Sequence, residues 1–150
     1  YEVSDGEAIG YRWDEEQKDH VPDDIVSLPV TEPDGNLVTT LNDFFKWTNI
    51  YLENEQSILQ DQSLEKMTTP YIESDEEGPY GKVDMYGYGL FLSKDKGLIS
   101  HSGYIVGFRS HFIVDPKENI RVFVFANNVS MSPKDVSSGI YKIIADKQSD

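Results

Sequence analysis

The chain has 150 residues, enough for one small domain or part of a larger one, and it is acidic, with 27 Asp and Glu against 13 Lys and Arg. Its formal net charge of -14 excludes a nucleic-acid groove, which needs clustered basic side chains, and disfavours an anionic membrane surface. No apolar run is long enough to span a bilayer. The absence of cysteine excludes disulfides and thiolate catalysis.

Residues 1–39 predict mostly irregular structure. A short strand is predicted at 8–13, an acidic loop broken by proline at 14–24, and a turn at the Pro-Asp-Gly-Asn sequence of 33–36. The chain begins at Tyr1 rather than at Met, from which we expect that an upstream segment has been removed.

Residues 40–70 predict two helices. Thr40 is suited to cap the first helix, because Asp43 follows three residues later in a variant of the capping box. The apolar face predicted for this helix consists of Leu41, Phe44, Phe45, Thr48, Tyr51 and Leu52. The second helix is predicted from Ser63, as its N-cap, to the residue before Pro70.

Residues 85–150 predict an antiparallel sheet of about four strands, preceded by an acidic loop at 72–79. The predicted strands are 85–92, 98–102, 108–114 and 120–127, with turns at 94–97 and 115–119. The last strand is apolar on both faces, so both faces of the sheet should be covered.

A C-terminal helix follows the sheet in this reading. Ser132 is suited to the N-cap and Pro133 to the first helical position. The side chains expected to pack on the sheet are Val136, Ile140, Ile143 and Ile144, which form an apolar stripe. The fold class predicted is therefore α+β.

The sequence His101-Ser102-Gly103, followed by Tyr104, is the most informative motif. It closes an alternating run, and a strand end with an imidazole, a hydroxyl and a glycine can line a pocket where a ligand approaches the backbone. The alternative is a strand that simply ends in a turn.

Other catalytic patterns are weak. The spacing Ser-x-x-Lys occurs at Ser63 and at Ser93, but Ser93 begins a charged turn and Ser63 lies in a polar helix start, where capping explains it. The three histidines, His20, His101 and His111, lack metal-ligand spacing, so we expect no metal. No phosphate loop, dinucleotide fingerprint or Gly-x-Ser-x-Gly elbow is present, and no cofactor is implied.

Short motifs nevertheless follow one another in a recognisable order. They are Ala8-Ile9-Gly10-Tyr11, the stretch from Gly35 to Trp47, Met67-Thr68-Thr69-Pro70, Tyr88-Gly89-Leu90, His101-Ser102-Gly103, Gly107-Phe108 and Asn127-Asn128. This series resembles the C-terminal half of the serine beta-lactamase and penicillin-binding-protein family, closest to its class C-like group of D-alanyl-D-alanine peptidases and esterases. The resemblance covers nearly the whole chain and implies a partial beta-lactamase/transpeptidase-like fold, with residues 1–150 as one C-terminal fragment.

The resemblance implies three site motifs, of which this chain matches one. Ser-x-x-Lys, with the acylated serine, and Tyr-x-Asn, a proton-transfer element, are expected before Tyr1. The third motif, Lys-Thr-Gly or a His-x-Gly variant, is matched by His101-Ser102-Gly103. By resemblance, Ser102 contacts the substrate carboxylate and the Tyr104 N–H is one of two oxyanion-hole donors. His101 in place of the commoner lysine weakens the expectation of beta-lactam hydrolysis and leaves peptidase or esterase activity open.

The function predicted from the resemblance is the C-terminal portion of a serine acyl-transfer hydrolase that acts on beta-lactam, D-Ala-D-Ala peptide or ester substrates in its full-length parent. The chain alone should be inactive, because the nucleophile is missing. The alternative is a non-catalytic module that binds cell-wall peptide or a partner protein; Ser-x-x-Lys and Tyr-x-Asn upstream of Tyr1 would favour the enzyme.

The expected partners are the N-terminal half of the parent and a small peptide, beta-lactam or ester substrate. Without that half, the chain is expected to expose a strand edge and an apolar patch at 108–125, and to form a homodimer. The family resemblance suggests a bacterial protein that is exported or held at the cell surface.

Overall fold

The computed structural model of the protein describes residues 6–23, 32–35, 37–52, 58–78, 81–82 and 85–148. The helices are α1 Glu32–Gly35, α2 Leu41–Thr48, α3 Asp61–Met67 and α4 Pro133–Gln148, and a 3-10 turn, Asn49–Tyr51, follows α2. The strands are β1 Tyr11–Asp14, β2 Asp19–Pro22, β3 Ile72–Glu73, β4 Glu77–Gly78, β5 Gly81–Lys82, β6 Met85–Tyr86, β7 Phe91–Leu92, β8 Ile99–Ile105, β9 Phe108–Asp115 and β10 Ile120–Ala126. Within the residues described, no helix is both long and apolar enough to cross a membrane.

The main sheet has six strands in the order β10-β9-β8-β7-β6-β3, and every neighbouring pair is antiparallel. Helix α4 packs across β9 and β10. The predicted α+β class, antiparallel sheet and C-terminal helix are therefore confirmed, and the described part of the main sheet has six strands instead of four.

Four segments differ from their predicted structure. Residues 85–92 form two short strands rather than one, because the chain reverses at Gly89, which has φ +69°, and Met85 pairs with Leu92. The loop predicted at 72–79 contains β3, paired with β6, and β4, paired with β5. The loop predicted at 14–24 contains β2, which forms a hairpin with β1. The turn predicted at 33–36 begins inside the short helix α1.

Helix α2 begins as predicted and covers one face of the sheet. The Asp43 backbone N–H donates to the Thr40 hydroxyl at 3.1 Å, and that hydroxyl donates to the Asp43 carboxylate at 3.0 Å. Phe44 makes edge-to-face contacts with three rings of the sheet: Phe112, Phe123 and Phe125. Helix α2 therefore lies over part of the apolar patch expected at 108–125, in which Phe125 remains exposed.

The apolar core on the α2 side is built from buried residues of several elements: Ile50, Tyr51, Leu90, Leu92, Ile99 and Val114. Two members of the predicted helical face, Leu41 and Phe45, lie outside it and are about half exposed. Helix α3 begins after Gln60, so Ser63 lies inside its first turn and is not the N-cap.

Helix α4 starts as predicted, with the Asp135 N–H donating to the Ser132 hydroxyl at 3.4 Å, but it packs through another face. Its buried positions are Pro133, Ser137 and Tyr141. The predicted contact stripe of Val136, Ile140, Ile143 and Ile144 is 36–60% exposed, so that prediction is wrong.

Polar contacts determine which side of α4 packs against the sheet. The sheet surface beneath α4 carries two buried polar side chains, His111 and Asp115, which bond to Ser137 and Tyr141 of the helix. Buried polar groups are costly unless they are hydrogen-bonded, so the helix presents its bonding side to the sheet. Helical geometry then places Ile143 roughly a third of a turn from Ser137.

The turn between β8 and β9 is fixed by a close backbone approach. Gly107 has φ +73°, and its Cα would lie only 2.6 Å from a Cβ at Gly10. Because only glycine tolerates both constraints, this pair holds the beginning of β1 against the β8–β9 turn.

Candidate functional site

All four predicted site residues lie on β8, and strand register divides them between two faces. His101 and Gly103 pair with Phe112 and Ser110 and face the α2 side. Ser102 and Tyr104 pair with His111 and Arg109 and face the α4 side. The pairing is continuous from Ile99 to Ile105, so β8 has no bulge at Gly103 that would bring the two sets together.

The strand has an open edge at the predicted site. Strand β7 pairs with β8 only through Phe91 with Ser100 and Leu92 with Ile99. From His101 onward, β8 therefore has no strand partner on its β7 side among the described residues. Helix α1 also contacts β8. Backbone groups without a strand partner can form hydrogen bonds to an added strand or a ligand.

His101 lies in an aromatic pocket on the α2 side. Its Nε2 is 2.9 Å from the Tyr86 hydroxyl, and its ring stacks on Phe91 with 5.0 Å between centroids and 15° between planes. Tyr86 in turn contacts Phe91 edge to face at 4.9 Å. These contacts hold the imidazole from two sides.

Burial lowers the pKa of His101 below its ordinary value of 6.5. A hydrogen bond to the Ser102 backbone and the charge of Glu76 oppose this shift but do not cancel it. The imidazole is therefore mainly neutral at pH 7.

The opposite face carries polar groups open to solvent. Ser102 is exposed, and Tyr104 is 73% exposed at its side chain. The Arg109 guanidinium lies over the Tyr104 ring, 4.7 Å from the centroid. The Arg109 Nε is buried and, in the part of the chain described, has no hydrogen-bond partner. A fixed cation therefore lies on the same face as Ser102.

Gly103 is required by its neighbour. A Cβ at this position would collide with the Ser110 hydroxyl across the strand pair. Glycine therefore lets β8 and β9 approach closely beside the exposed Ser102.

His111 lies behind this surface and is fully packed. It is 3% exposed, and its Nδ1 is 2.6 Å from the Ser137 hydroxyl. Burial, together with the charges of Lys134 and His101, lowers its pKa to about 4. It connects the sheet to α4 and does not reach the exposed face.

The structure keeps the other candidates apart. His101 and His111 face opposite sides of the sheet, and His20 bonds to Asn128 near the β1–β2 hairpin. Within the described residues, His, Asp and Glu side chains form no group of three suited to a metal ion. Ser63 and Lys66 are both exposed, which does not suit a buried nucleophile and its base.

Three contact residues of the site were missed by the sequence reasoning: Tyr86, Phe91 and Arg109. Tyr86 and Phe91 lie 15 and 10 positions before His101 and reach it only because β6, β7 and β8 are adjacent. Arg109 could have been found, since a two-residue turn after Ile105 places it opposite Tyr104.

Comparison with known proteins agrees with this architecture. The family model described as Beta-lactamase matches residues 3–145, so the chain belongs to the beta-lactamase family. A solved structure, the octameric penicillin-binding protein homologue from Pyrococcus abyssi, is 28% identical with a TM-score of 0.76. The match covers 92% of this chain and 30% of that protein, so this chain spans less than a third of the relative's length. No curated protein matches.

Proposed function

We propose that this chain is the C-terminal portion of a serine acyl-transfer hydrolase and forms one wall of its active site. The observation that carries the proposal is the placement of His101-Ser102-Gly103 at the open edge of β8, within a fold of the beta-lactamase family. The substrate class proposed is a peptide ending in D-Ala-D-Ala, a beta-lactam or an ester.

Each residue of the wall has a distinct role in this proposal. The exposed Ser102 hydroxyl binds the substrate's carboxylate, helped by the positive charge of Arg109 on the same face. The Tyr104 N–H donates to the oxyanion that forms when the acyl carbonyl is attacked. His101, neutral and held by aromatic rings, lines the other side of the strand.

The nucleophile and its base are proposed to come from the N-terminal half of the parent. Ser63 and Ser93 are the alternatives within this chain, but Ser63 is exposed and Ser93 leads into an exposed turn. A serine hydroxyl needs an adjacent base and a water-poor site to act as a nucleophile. The chain alone is therefore proposed to be inert.

The test uses the full-length parent and a chromogenic ester or labelled penicillin. Replacing Tyr104 with proline removes the N–H while Tyr104→Phe keeps it, so the first should lower the acylation rate by about 10²–10³ and the second should leave it nearly unchanged. Circular dichroism and urea unfolding of both variants check that β8 still forms.

Ser102→Ala completes this test. It should weaken the binding of substrates that carry a carboxylate more than the binding of neutral esters, because only the carboxylate loses a hydrogen-bond partner. The hydrolase proposal is contradicted if the parent binds D-Ala-D-Ala peptide without turnover and lacks Ser-x-x-Lys and Tyr-x-Asn upstream. That result would support the binding module instead.

A further inference from the structure

His101 makes more contacts than a residue that only lines the proposed active site requires. Three strands converge on one imidazole: β8 carries it, β6 supplies the Tyr86 hydroxyl and β7 supplies the stacked ring of Phe91. The three rings contact one another pairwise, with Tyr86 and His101 centroids 5.8 Å apart. A side chain held in this way keeps one rotamer.

The hydrogen bonds distinguish the two ring nitrogens. Nε2 faces the Tyr86 hydroxyl at 2.9 Å. A phenol is a stronger acid than a neutral imidazole N–H, and an imidazole nitrogen is a better acceptor than a phenol oxygen, so the Tyr86 O–H is the donor in this pair. With the phenol O–H donating to Nε2, the proton of the neutral ring lies on Nδ1.

We propose that Tyr86 is a positioning residue that holds His101 as the neutral Nδ1–H tautomer, so that the third site motif of this chain presents no positive charge to a substrate. The link to a substrate rests on the proposed function, whereas the tautomer and the role of Tyr86 do not. An anionic substrate group at this strand end is then met by Arg109, on the other face of the strand, and not by His101.

The charged and titratable groups around His101 do not outweigh the effect of burial, which favours a neutral ring. Tyr86 faces it from β6, and Glu76 acts on it from the segment between β3 and β4. The negative charge of Glu76 is shared with Lys134 of α4, whose Nζ lies 3.6 Å from it. A positive charge on His101 also lowers the pKa of His111 on β9, because like charges repel.

Long-range nitrogen–proton NMR of the imidazoles in the full 150-residue chain tests the proposal. The expected spectrum at pH 7 shows an unprotonated Nε2 and a protonated Nδ1 for His101. In Tyr86→Phe the donor to Nε2 is lost, so the ring should shift toward the Nε2–H tautomer and the pKa of His101 should rise by about 0.5 to 1. The phenyl ring retained in this variant preserves the contact with Phe91.

Tyr88→Phe is the matched control, because Tyr88 stacks on Tyr71 and not on His101. It should leave the tautomer and the pKa of His101 unchanged. Phe91→Leu is a second variant that keeps the Tyr86 hydroxyl, and it should retain the Nδ1–H tautomer.

A protonated Nε2 in the unmodified chain, or equal spectra for Tyr86→Phe and Tyr88→Phe, would overturn the proposal. These readouts need no substrate, so they stand or fall independently of hydrolase activity. A hydrolase with an Nε2–H tautomer would refute this inference alone, and an inert parent with the expected tautomer would refute the proposed function alone.

Discussion

The two faces of the sheet are held by different chemistry. On the α2 side, apolar and aromatic side chains interlock, with Phe44 in edge-to-face contact with three sheet rings. On the α4 side, the core around Ile113 and Tyr141 includes two buried polar contacts, His111 with Ser137 and Tyr141 with Asp115. Burial provides stability on both sides, while the polar contacts determine which face of α4 meets the sheet.

This difference also separates the two histidines of β8 and β9. His101 lies among aromatic rings on the α2 side, and His111 lies in a polar contact on the α4 side. Burial lowers the pKa of both, so neither is a cation at neutral pH.

The largest effect is expected from truncating one core residue on each side. Ile50, on the α2 side, and Ile113, on the α4 side, are 1% and 0% exposed. Replacing either with alanine should lower the free energy of unfolding by about 2–5 kcal/mol, measured by urea denaturation. Leu37→Ala, at a position 86% exposed, is the control and should change little. A small loss on only one side would show that this side contributes little to the fold.

Acidification should lower the free energy of unfolding through the contacts on the α4 side of the sheet. His111 has a pKa of about 4 when folded and an ordinary value of 6.5 when unfolded, so the unfolded chain binds the extra proton between these values. The stability from the neutral imidazole is complete above pH 6.5 and is lost as the pH falls to 4, by roughly 3 kcal/mol.

The double variant His111→Leu with Ser137→Ala isolates this contribution. It replaces both partners with apolar groups and should remove this part of the pH dependence while the carboxylates and His101 keep theirs. Equal pH slopes for the two proteins would contradict the assignment to His111.

Removing only one partner of the His111–Ser137 hydrogen bond should lower the free energy of unfolding by less than truncating a core residue does. Ser137→Ala leaves the buried Nδ1 of His111 without its 2.6 Å partner, so unfolding should become easier by about 1–3 kcal/mol. The neighbouring Ser138→Ala is a matched control at a less buried position and should stay within about 0.5 kcal/mol. If Ser138→Ala costs as much, the effect belongs to the helix and not to the contact.

Local signals predicted two of the helix caps but not the cap of α3, which is Gln60 and not Ser63. Thr40 with Asp43 and Ser132 with Asp135 form caps because the residues that bond are three positions apart. The turn before β8 was predictable from Gly97, which has φ +71°. The motif on β8 was also located by sequence, and its proposed role remains a prediction.

Long-range contacts were not predictable in the same way. The apolar stripe of α4 suggested the wrong contact face, because the polar groups that orient the helix, His111 and Asp115, lie on another strand. The environment of His101 depends on Tyr86 and Phe91, which reach it only through strand order. The periodicity of a sequence shows which residues share a face of a helix. It does not show which face packs against another element.

The smallest effect on stability is expected at the exposed stripe. Ile140 is 40% exposed, so Ile140→Ser should change the free energy of unfolding by no more than about 0.5 kcal/mol. Its effect should appear in association: we propose that the chain pairs through this stripe and the outer edge of β10, the last strand of the sheet.

Light scattering on a size-exclusion column measures that association. At about 100 μM the unmodified chain should be partly dimeric, and Ile140→Asp should shift it toward monomer. Leu37→Asp, which places the same charge on an exposed residue outside the stripe, should not. If the unmodified chain is entirely monomeric at this concentration, the proposed pairing through this surface is contradicted.

The most direct test of the central claim is whether the chain carries its own nucleophile. We predict that intact mass spectrometry after incubation with a labelled penicillin detects no covalent adduct on the 150-residue chain, while the full-length parent is labelled once. A single stoichiometric adduct on the isolated chain, abolished by Ser63→Ala, would contradict the account and place the nucleophile on α3.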